Sequence, residues 1–546
     1  MKFVNSAPYL VVLALSLAAC SPISKIPVPV GSDNIINISS KKTPLTNYEQ
    51  NNWQHLDLAT DSLPGMSVKK AYTFLEGKKP SELIVAVIDS GIDLMHEDLK
   101  DATWINKNEI PKNGIDDDKN GYIDDVNGWN FLGKSYKEHL EYERILMNPL
   151  IADAKTLAEV KAYRQEKIEK AEKELNQYQG IFENTKKAHK ILTEYFGKET
   201  YTAKQLGDID TDDDQLTTSI RVAEFIFQFT DSLPDALKEL SSIVSKAKKI
   251  INRKNLETNY RVVVGDDPYD INSKLGYGDP NTGHTVKDES HGTHVSGIIA
   301  ASRNNAKGMD GVANRIKIMA VRAVSSGDEY DKDVALGIRY AVDNGARVIN
   351  TSFGKAFSPN KEWVYQAIKY AAKNDVLIVN AAGNDGKNTD IEKTFPNDAP
   401  DLINEIADNF VTVGAISFNY NEKLPAEFSN YGKINVDVFA PGVKIYSTTP
   451  ENEYKKFSGT SMAAPNTAGV AALIRSYYPK LTAKQVKRIL INSGTKIDLR
   501  VIKPGSKSEF NPIGVLVPFS DLSASGRIIN AYNALKMADK MLNRKK

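Results

Sequence analysis

Three separated segments of the sequence carry residue types that together could perform nucleophilic catalysis. Asp89 lies in the segment VIDSGID, His291 begins the segment HGTHVSG, and Ser461 lies in the segment GTSMAAP. A serine hydroxyl is a weak nucleophile near neutral pH, and an imidazole that takes its proton activates it for attack on a carbonyl. A carboxylate on the other imidazole nitrogen fixes the tautomer and stabilises the imidazolium. The three residues therefore indicate acyl transfer through a serine nucleophile.

The order of these residues along the chain narrows the class of enzyme. The order Asp, His, Ser differs from that of α/β-hydrolases (Ser, Asp, His) and of chymotrypsin-like enzymes (His, Asp, Ser). A fourth segment, NAAGN, ends in Asn384, whose side-chain amide can donate to an oxyanion. At these four segments the chain resembles the subtilases, the subtilisin-like serine proteases. The resemblance implies that Asp89, His291 and Ser461 form the catalytic triad, with Asn384 and the Ser461 backbone N–H as oxyanion donors.

The same resemblance assigns the second histidine and the substrate groove. In subtilases the first histidine of HGTH is the base, so we expect His294 to be a packed structural residue. The segment Ser352-Phe353-Gly354 is expected to pair with the substrate backbone, and Ala381-Ala382-Gly383 to form the facing wall of the primary specificity pocket. Main-chain pairing supplies affinity and side-chain pockets supply selectivity. Phe353 stands where the family commonly has Leu, so the sequence leaves the shape of the pocket open.

The elements that must position these residues can be predicted from hydrophobic patterning. Asp89 ends the apolar run LIVAVI, which is typical of a buried central strand. His291 and Ser461 each begin a stretch of small apolar residues that predicts a buried helix, and the free amides at the start of the Ser461 helix favour negative charge there. Further strands alternate with helices. The sequence therefore predicts a doubly wound, mostly parallel α/β sheet with helices on both faces.

The interval between Asp89 and His291 is far longer than in a minimal subtilisin, at 202 positions. Within it, two sets of apolar residues recur at steps of three and four and predict two amphipathic helices joined by the polar loop 208–214. The sets are Ile168, Ala171, Leu175, Tyr178 and Phe182, and Leu237, Leu240, Val244, Ala247 and Ile251. We expect an inserted helical hairpin or small bundle. It could restrict access to the active site, recruit a partner, or simply pack.

An acidic segment before the insertion, NGIDDDKNGYIDD at 113–125, predicts a calcium site. Its D-x-D-x-N-G core alternates oxygen ligands and places a glycine at the turn, as calcium loops do. The expected ligands are Asp116, Asp118 and Asn120. Asn127 stands where such loops carry a bidentate Glu, so Asp124 or Asp125 must serve instead, and we assign Asp125. An acidic solvated turn without an ion is the alternative interpretation.

Composition and the N-terminal segment bear on partners and location. Lys and Arg total 70 against 69 Asp and Glu, so net charge gives no reason to expect a nucleic-acid partner. Cys20 is the sole cysteine, which excludes an intramolecular disulfide. It follows an apolar run too short to span a bilayer, a pattern typical of a secretory signal ending in a bacterial lipobox. We expect a lipid anchor on Cys20 and a place in the cell envelope, at the outer membrane or cell surface, while an ordinary signal peptide is the alternative.

The predicted organisation places one catalytic domain around the insertion, with the protein a monomer. Its segments are a signal peptide at 1–20, a flexible tether at 21–52, the first catalytic part at 53–131, a charged helical insertion at 132–285, the second catalytic part at 286–536, and a basic tail at 537–546. Three hypotheses follow: a lipid-anchored serine endopeptidase, a pseudoprotease that binds through the insertion, and a serine hydrolase acting on esters. The intact catalytic residues favour the first, because a binding module does not need them, and the strand around Ser352 favours peptides over esters.

Overall fold

The computed structural model describes residues 40–230, 232–253, 258–283, 289–508 and 511–543. The expected signal peptide, Cys20 and most of the expected tether lie outside these residues. Within the described ranges, no helix combines the length and the apolar character needed to cross a bilayer.

A nine-stranded sheet forms the centre of the protein, and the described residues contain four further strands outside it. In chain order the strands are β1 Leu83–Asp89, β2 Gly128–Asn130, β3 Ile316–Arg322, β4 Val348–Thr351, β5 Leu377–Ala381, β6 Phe410–Ile416, β7 Val438–Pro441, β8 Ile445–Thr449, β9 Glu453–Phe457, β10 Thr495–Lys496, β11 Arg500–Ile502, β12 Leu516–Pro518 and β13 Arg527–Ile528. The sheet order is β10-β13-β7-β6-β5-β4-β1-β3-β2, parallel except for the β10–β13 pair, while β8–β9 and β11–β12 form separate antiparallel pairs. The crossovers between parallel strands are those of a doubly wound sheet.

Helices cover both faces of this sheet. In the described residues the α-helices are α1 Asn47–Asn52, α2 Leu58–Asp61, α3 Val68–Phe74, α4 Glu141–Met147, α5 Ala154–Phe196, α6 Ala203–Gly207, α7 Asp214–Phe227, α8 Leu233–Ile251, α9 His291–Ala300, α10 Asp331–Asp343, α11 Lys361–Lys373, α12 Thr460–Tyr477, α13 Ala483–Ser493 and α14 Ala531–Asn543. Alternate residues of β1 enter different cores. Val85 and Val87 pack with α9 and α12, whereas Ala86 and Ile88 pack with α10 and α11. Burial on both faces explains why β1 is apolar at nearly every position, and the predicted fold class is confirmed.

The region between β2 and α9 contains the helices α4 to α8. Both predicted apolar stripes lie on long helices, with Ala171 buried on α5 and Leu240, Val244 and Ala247 buried on α8. The prediction was wrong about the connection, because the loop 208–214 joins α6 to α7. Helix α7 was not predicted, although its apolar residues Leu216, Ile220, Ala223 and Phe227 recur at helical spacing. The helices form a small bundle rather than a two-helix hairpin.

Two predicted boundaries also differ from the structure. The expected tether ends at residue 52, yet residues 47–52 form α1, whose start is capped by reciprocal hydrogen bonds between Thr46 and Glu49. The expected basic tail begins at residue 537, yet α14 continues to Asn543 with Met537 and Ala538 buried. In α14, apolar residues at helical spacing outweigh the interspersed lysines, because one face packs on the core.

Candidate active site

Asp89 and His291 are joined by a short hydrogen bond. Asp89 is the last residue of β1 and is 1% exposed, and its Oδ1 lies 2.7 Å from Nδ1 of His291, the first residue of α9. Oδ1 also accepts the Ser90 N–H at 2.8 Å. Gly292 permits the close approach of α9, since a Cβ there would stand 2.6 Å from the Ser90 carbonyl oxygen. The strand end and the helix start therefore hold this pair together.

The two histidines of α9 have opposite electrostatic environments. Burial of the His291 imidazole disfavours its charged form, but the Asp89 carboxylate outweighs this effect and raises the pKa of His291. Burial lowers the pKa of His294 to about 3. Its Nε2 lies 3.0 Å and 3.1 Å from the carbonyl oxygens of Ile445 and Lys455, and its ring stacks on Phe457. The protonated form of His291 is thus favoured by its carboxylate partner, whereas His294 is a neutral packing residue.

Ser461 lies in the first turn of α12 and contacts the end of β4. Its hydroxyl donates to the Ser352 carbonyl oxygen at 3.0 Å, and the Ser352 hydroxyl donates to the Ser461 carbonyl oxygen at 2.9 Å. In the described chain, no hydrogen bond joins Ser461 to His291. The structure therefore brings together Asp89 with His291 and Ser461 with Ser352, as two separate hydrogen-bonded pairs.

Asn384 is held at the start of the same helix. Its Oδ1 accepts the Thr460 N–H at 2.8 Å and the Thr460 hydroxyl at 3.0 Å. Because the oxygen faces Thr460, the amide nitrogen is left to donate elsewhere, and it bonds to no residue that the structure describes. The Ser461 N–H, in the first turn of α12, has no intrahelical acceptor. Two donors are thus available beside the Ser461 side chain.

A cavity of about 260 Å³ opens beside Ser461 and Asn384. Its walls include five of the six residues expected to bind substrate: Phe353, Gly354, Ala381, Ala382 and Gly383. Ser352, the sixth, joins them through its bonds to Ser461. The cavity is also lined by Tyr142 of α4 and by Tyr163 and Lys167 of α5. These side chains could not be found from the sequence, because their helical pattern gives no sign of what they approach.

Comparison with known proteins identifies the family. Residues 81–511 match the family model described as the subtilase family. The chain belongs to the subtilases.

It is 38% identical to subtilisin DY of Bacillus licheniformis over 215 residues, 39% of this chain and 73% of the relative. It is 40% identical to thermitase of Thermoactinomyces vulgaris over 208 residues, 38% of this chain and 68% of the relative. It is also 34% identical to a cell wall-associated protease of Bacillus subtilis over 265 residues, 47% of this chain but 28% of that relative. The resemblance inferred from the motifs is confirmed, and the protein is a subtilisin-like serine endopeptidase that acts on proteins or peptides.

The acidic segment of this subtilase brings three carboxyl groups together. Oxygen atoms of Glu109, Asp118 and Asp125 lie within 4.8 Å of one another, and none of the three forms an ion pair with a described lysine or arginine. Burial raises the pKa of Asp125 to about 6. Like charges this close favour a bound cation, and subtilases commonly bind structural calcium.

The carboxyl cluster and the ligands predicted for this loop overlap only in part. Asp118 and Asp125 belong to the cluster, whereas Asp116 accepts the N–H groups of Asn120 and Gly121 and so shapes the turn. The Asn120 amide nitrogen donates to Asp125, and its oxygen accepts the Tyr122 N–H. Glu109 was missed because it precedes the D-x-D-x-N-G pattern and is brought in by the fold, where it also accepts backbone N–H groups of the loop.

Proposed function

We propose that this subtilase cleaves peptide bonds through an acyl-enzyme on Ser461, with His291 as general base and Asp89 as the carboxylate that orients it. The 2.7 Å bond between His291 Nδ1 and the buried Asp89 carboxylate supports this most directly, because it unites residues 202 positions apart in the required geometry. With Nδ1 donating to Asp89, Nε2 is left as the acceptor that a serine hydroxyl needs.

Substrate binding completes the set in this mechanism. The Ser461 hydroxyl turns from the Ser352 carbonyl to His291 Nε2, consistent with catalytic hydrogen bonds that often form only in the substrate complex. The Ser352 carbonyl then accepts a backbone N–H of the substrate. Ser461 Oγ attacks the scissile carbonyl as its proton passes to His291, and the imidazolium gives that proton to the leaving amine. Water repeats the cycle and releases Ser461.

Asn384 and the Ser461 N–H stabilise the oxyanion that forms in both steps. The fixed Asn384 oxygen supports this role, since the amide is oriented before the substrate arrives and needs little reorganisation. The partial positive charge at the start of α12 acts in the same direction.

A structural calcium ion held by Glu109, Asp118 and Asp125 accompanies this function. The ion would neutralise three carboxylates and stabilise the segment that connects β1 to β2. It has no part in the chemistry, which is carried out by Asp89, His291 and Ser461.

The enzyme is placed in the cell envelope of a bacterium by acyl chains on Cys20, as a monomer with its catalytic domain in water. The lipobox-like sequence supports this placement, as does the relative named a cell wall-associated protease. Cys20→Ser is expected to release the protein from the membrane fraction. Blotting of the separated membrane and soluble fractions measures this release. Continued membrane association of this variant would count against the anchor.

Labelling with a fluorophosphonate tests the proposed nucleophile. Native protein should take up one label per molecule, on the peptide that contains Ser461, and Ser461→Ala should take up none. Heat-denatured protein serves as the control for nonspecific reaction. Absence of label on folded native protein would favour a pseudoprotease that works through the insertion. The third hypothesis, a serine hydrolase acting on esters, is tested by comparing cleavage of a peptide amide with that of its matched ester. An esterase would cleave only the ester.

A further inference from the structure

The cavity beside Ser461 is lined by two different parts of the chain. Ser461, Asn384 and Gly383 belong to the catalytic part. Tyr142 and Tyr163 belong to the inserted helices α4 and α5. The insertion therefore reaches the substrate side of the molecule.

Tyr163 stands between this cavity and a larger one. The second cavity, of about 1010 Å³, lies between the N-terminal turns of α5 and the loops that follow β4 and β5. Tyr163 and Phe357 line both cavities, whereas Ser461 lines only the smaller. These two rings belong to a partition between the two spaces, to which Ala356, Lys387, Lys393 and Phe395 also contribute.

The partition is held firmly by aromatic and cationic contacts. The Tyr163 ring makes edge contacts with Tyr142 at 5.5 Å and with Phe357 at 5.2 Å between ring centres. The ammonium groups of Lys167 and Lys387 lie 4.9 Å and 5.7 Å from the centre of the Tyr163 ring. Such contacts favour one position of the ring. Burial, followed by the charge of nearby Asp385, raises the pKa of Tyr163 to about 12, so the phenol is neutral at working pH.

Buried ion pairs fix α4 to the strand that is expected to bind substrate. Lys355 directly follows Gly354, and its ammonium lies 2.6 Å from the Glu141 carboxylate of α4, with both side chains 2% exposed. Arg144, also on α4, donates to the carbonyl oxygens of Asp328 and Glu329 at 2.7 Å and 2.9 Å. The wall of inserted helices and the substrate strand are therefore built as one rigid unit.

We propose that the insertion completes the primary specificity pocket and that Tyr163 sets the longest side chain the pocket accepts. This inference rests on the proposed role of Ser461, because it takes the cavity beside Ser461 as the place for the residue before the cleaved bond. Rings on several walls favour a flat, bulky side chain, and the partition excludes one that extends beyond Tyr163.

A peptide series that differs only in the residue before the cut tests the proposal. The residues are alanine, phenylalanine and 4-phenylphenylalanine, whose second ring would clash with Tyr163. Tyr163→Ala is expected to raise kcat/KM for the longest residue relative to phenylalanine by about tenfold or more, with alanine little changed. Tyr163→Phe keeps the ring and should keep the native ratio. Tyr195→Ala is the matched control, since Tyr195 lies on the same helix and is 54% exposed.

A second variant guards against loss of folding in Tyr163→Ala. Tyr163→Trp should shorten the pocket and lower kcat/KM for phenylalanine relative to alanine. Unchanged ratios in these variants, or an equal loss on all peptides, would overturn the proposal. Fluorophosphonate labelling of the same samples keeps the two ideas apart. Native protein that takes no label contradicts the proposed function, whereas labelled protein with unaltered selectivity contradicts only the role of Tyr163.

Discussion

The central sheet and the inserted helices differ in what holds them in place. In β1, six of seven residues are buried, and they contribute to cores on both faces. In α5, which is about 65 Å long at 1.5 Å per residue, the buried residues are few: Val160, Ala171, Thr185, Ala188 and Leu192. The insertion is tied to the sheet at its root, through the buried charges of Glu141 and Arg144.

This contrast separates two kinds of function within one subtilase. Residues at the ends of strands and the starts of buried helices have fixed positions, as chemistry requires. The insertion needs only a rigid root to add a wall to the pocket, and its distal part can vary without disturbing Asp89 or Ser461. Substitutions in the sheet should therefore affect rate, and substitutions at the root should affect stability and selectivity.

The largest effect is expected for Asp89→Asn at the end of β1. An amide cannot orient His291 as the carboxylate does, so kcat should fall about 10⁴-fold, the loss known for such triads including that of subtilisin itself. Asp89 raises the pKa of His291, and the neutral imidazole is the base. The acidic limb of residual activity should therefore move to lower pH. Steady-state kinetics across pH measure both the fall in kcat and the shift of the acidic limb. An acidic limb at the same pH as in the native protein would contradict the pairing of Asp89 with His291.

The next effect concerns the root of the insertion. Glu141→Gln leaves Lys355 with less compensation in a buried site, and breaking such a pair costs about 3–5 kcal/mol of unfolding free energy. Glu159→Gln is the matched control, because its partner Lys155 is 88% exposed and exposed pairs contribute little. Urea unfolding compares the two variants. Equal midpoints would mean that the insertion does not depend on its buried root.

Asn384→Ala tests the expectation that substitutions beside the strand ends of the sheet affect the rate of catalysis. Loss of one oxyanion donor should lower kcat about 10²- to 10³-fold, a figure measured in subtilisin itself. KM should change little, since the amide acts mainly in the transition state. The melting temperature should fall slightly, because the N–H and the hydroxyl of buried Thr460 lose the Asn384 oxygen as their acceptor. A parallel rise in KM would indicate a role in substrate binding instead.

The smallest effect is expected at the acidic cluster, which lies apart from both regions. Chelation of calcium should lower the melting temperature of the native protein, and Glu109→Gln should reduce this response by removing one of three carboxylates. Asp101→Asn, an exposed acid outside the cluster, should respond like the native protein. Calorimetry with and without chelator measures these melting temperatures. If chelator leaves the melting temperature of the native protein unchanged, the calcium site is contradicted.

The sequence predicts much of the central sheet, but few of the residues that distant segments of the chain bring into contact with it. β1 and the starts of α9 and α12 are encoded in short contiguous patterns, so their elements and the fold class could be predicted. Glu109 and Tyr163 could not, because their importance arises only where distant segments meet. The length of α14 was underestimated since lysines on its exposed face resemble a solvated tail.

The most direct test of the account is to trap the acyl-enzyme. Native protein is mixed with an activated ester of a short peptide, quenched in acid after milliseconds, and digested for mass mapping. We predict one added acyl group on the peptide that contains Ser461, and its persistence for longer in Asn384→Ala. Turnover without any acyl group on Ser461, or equal turnover in Ser461→Ala, would contradict the proposed nucleophile.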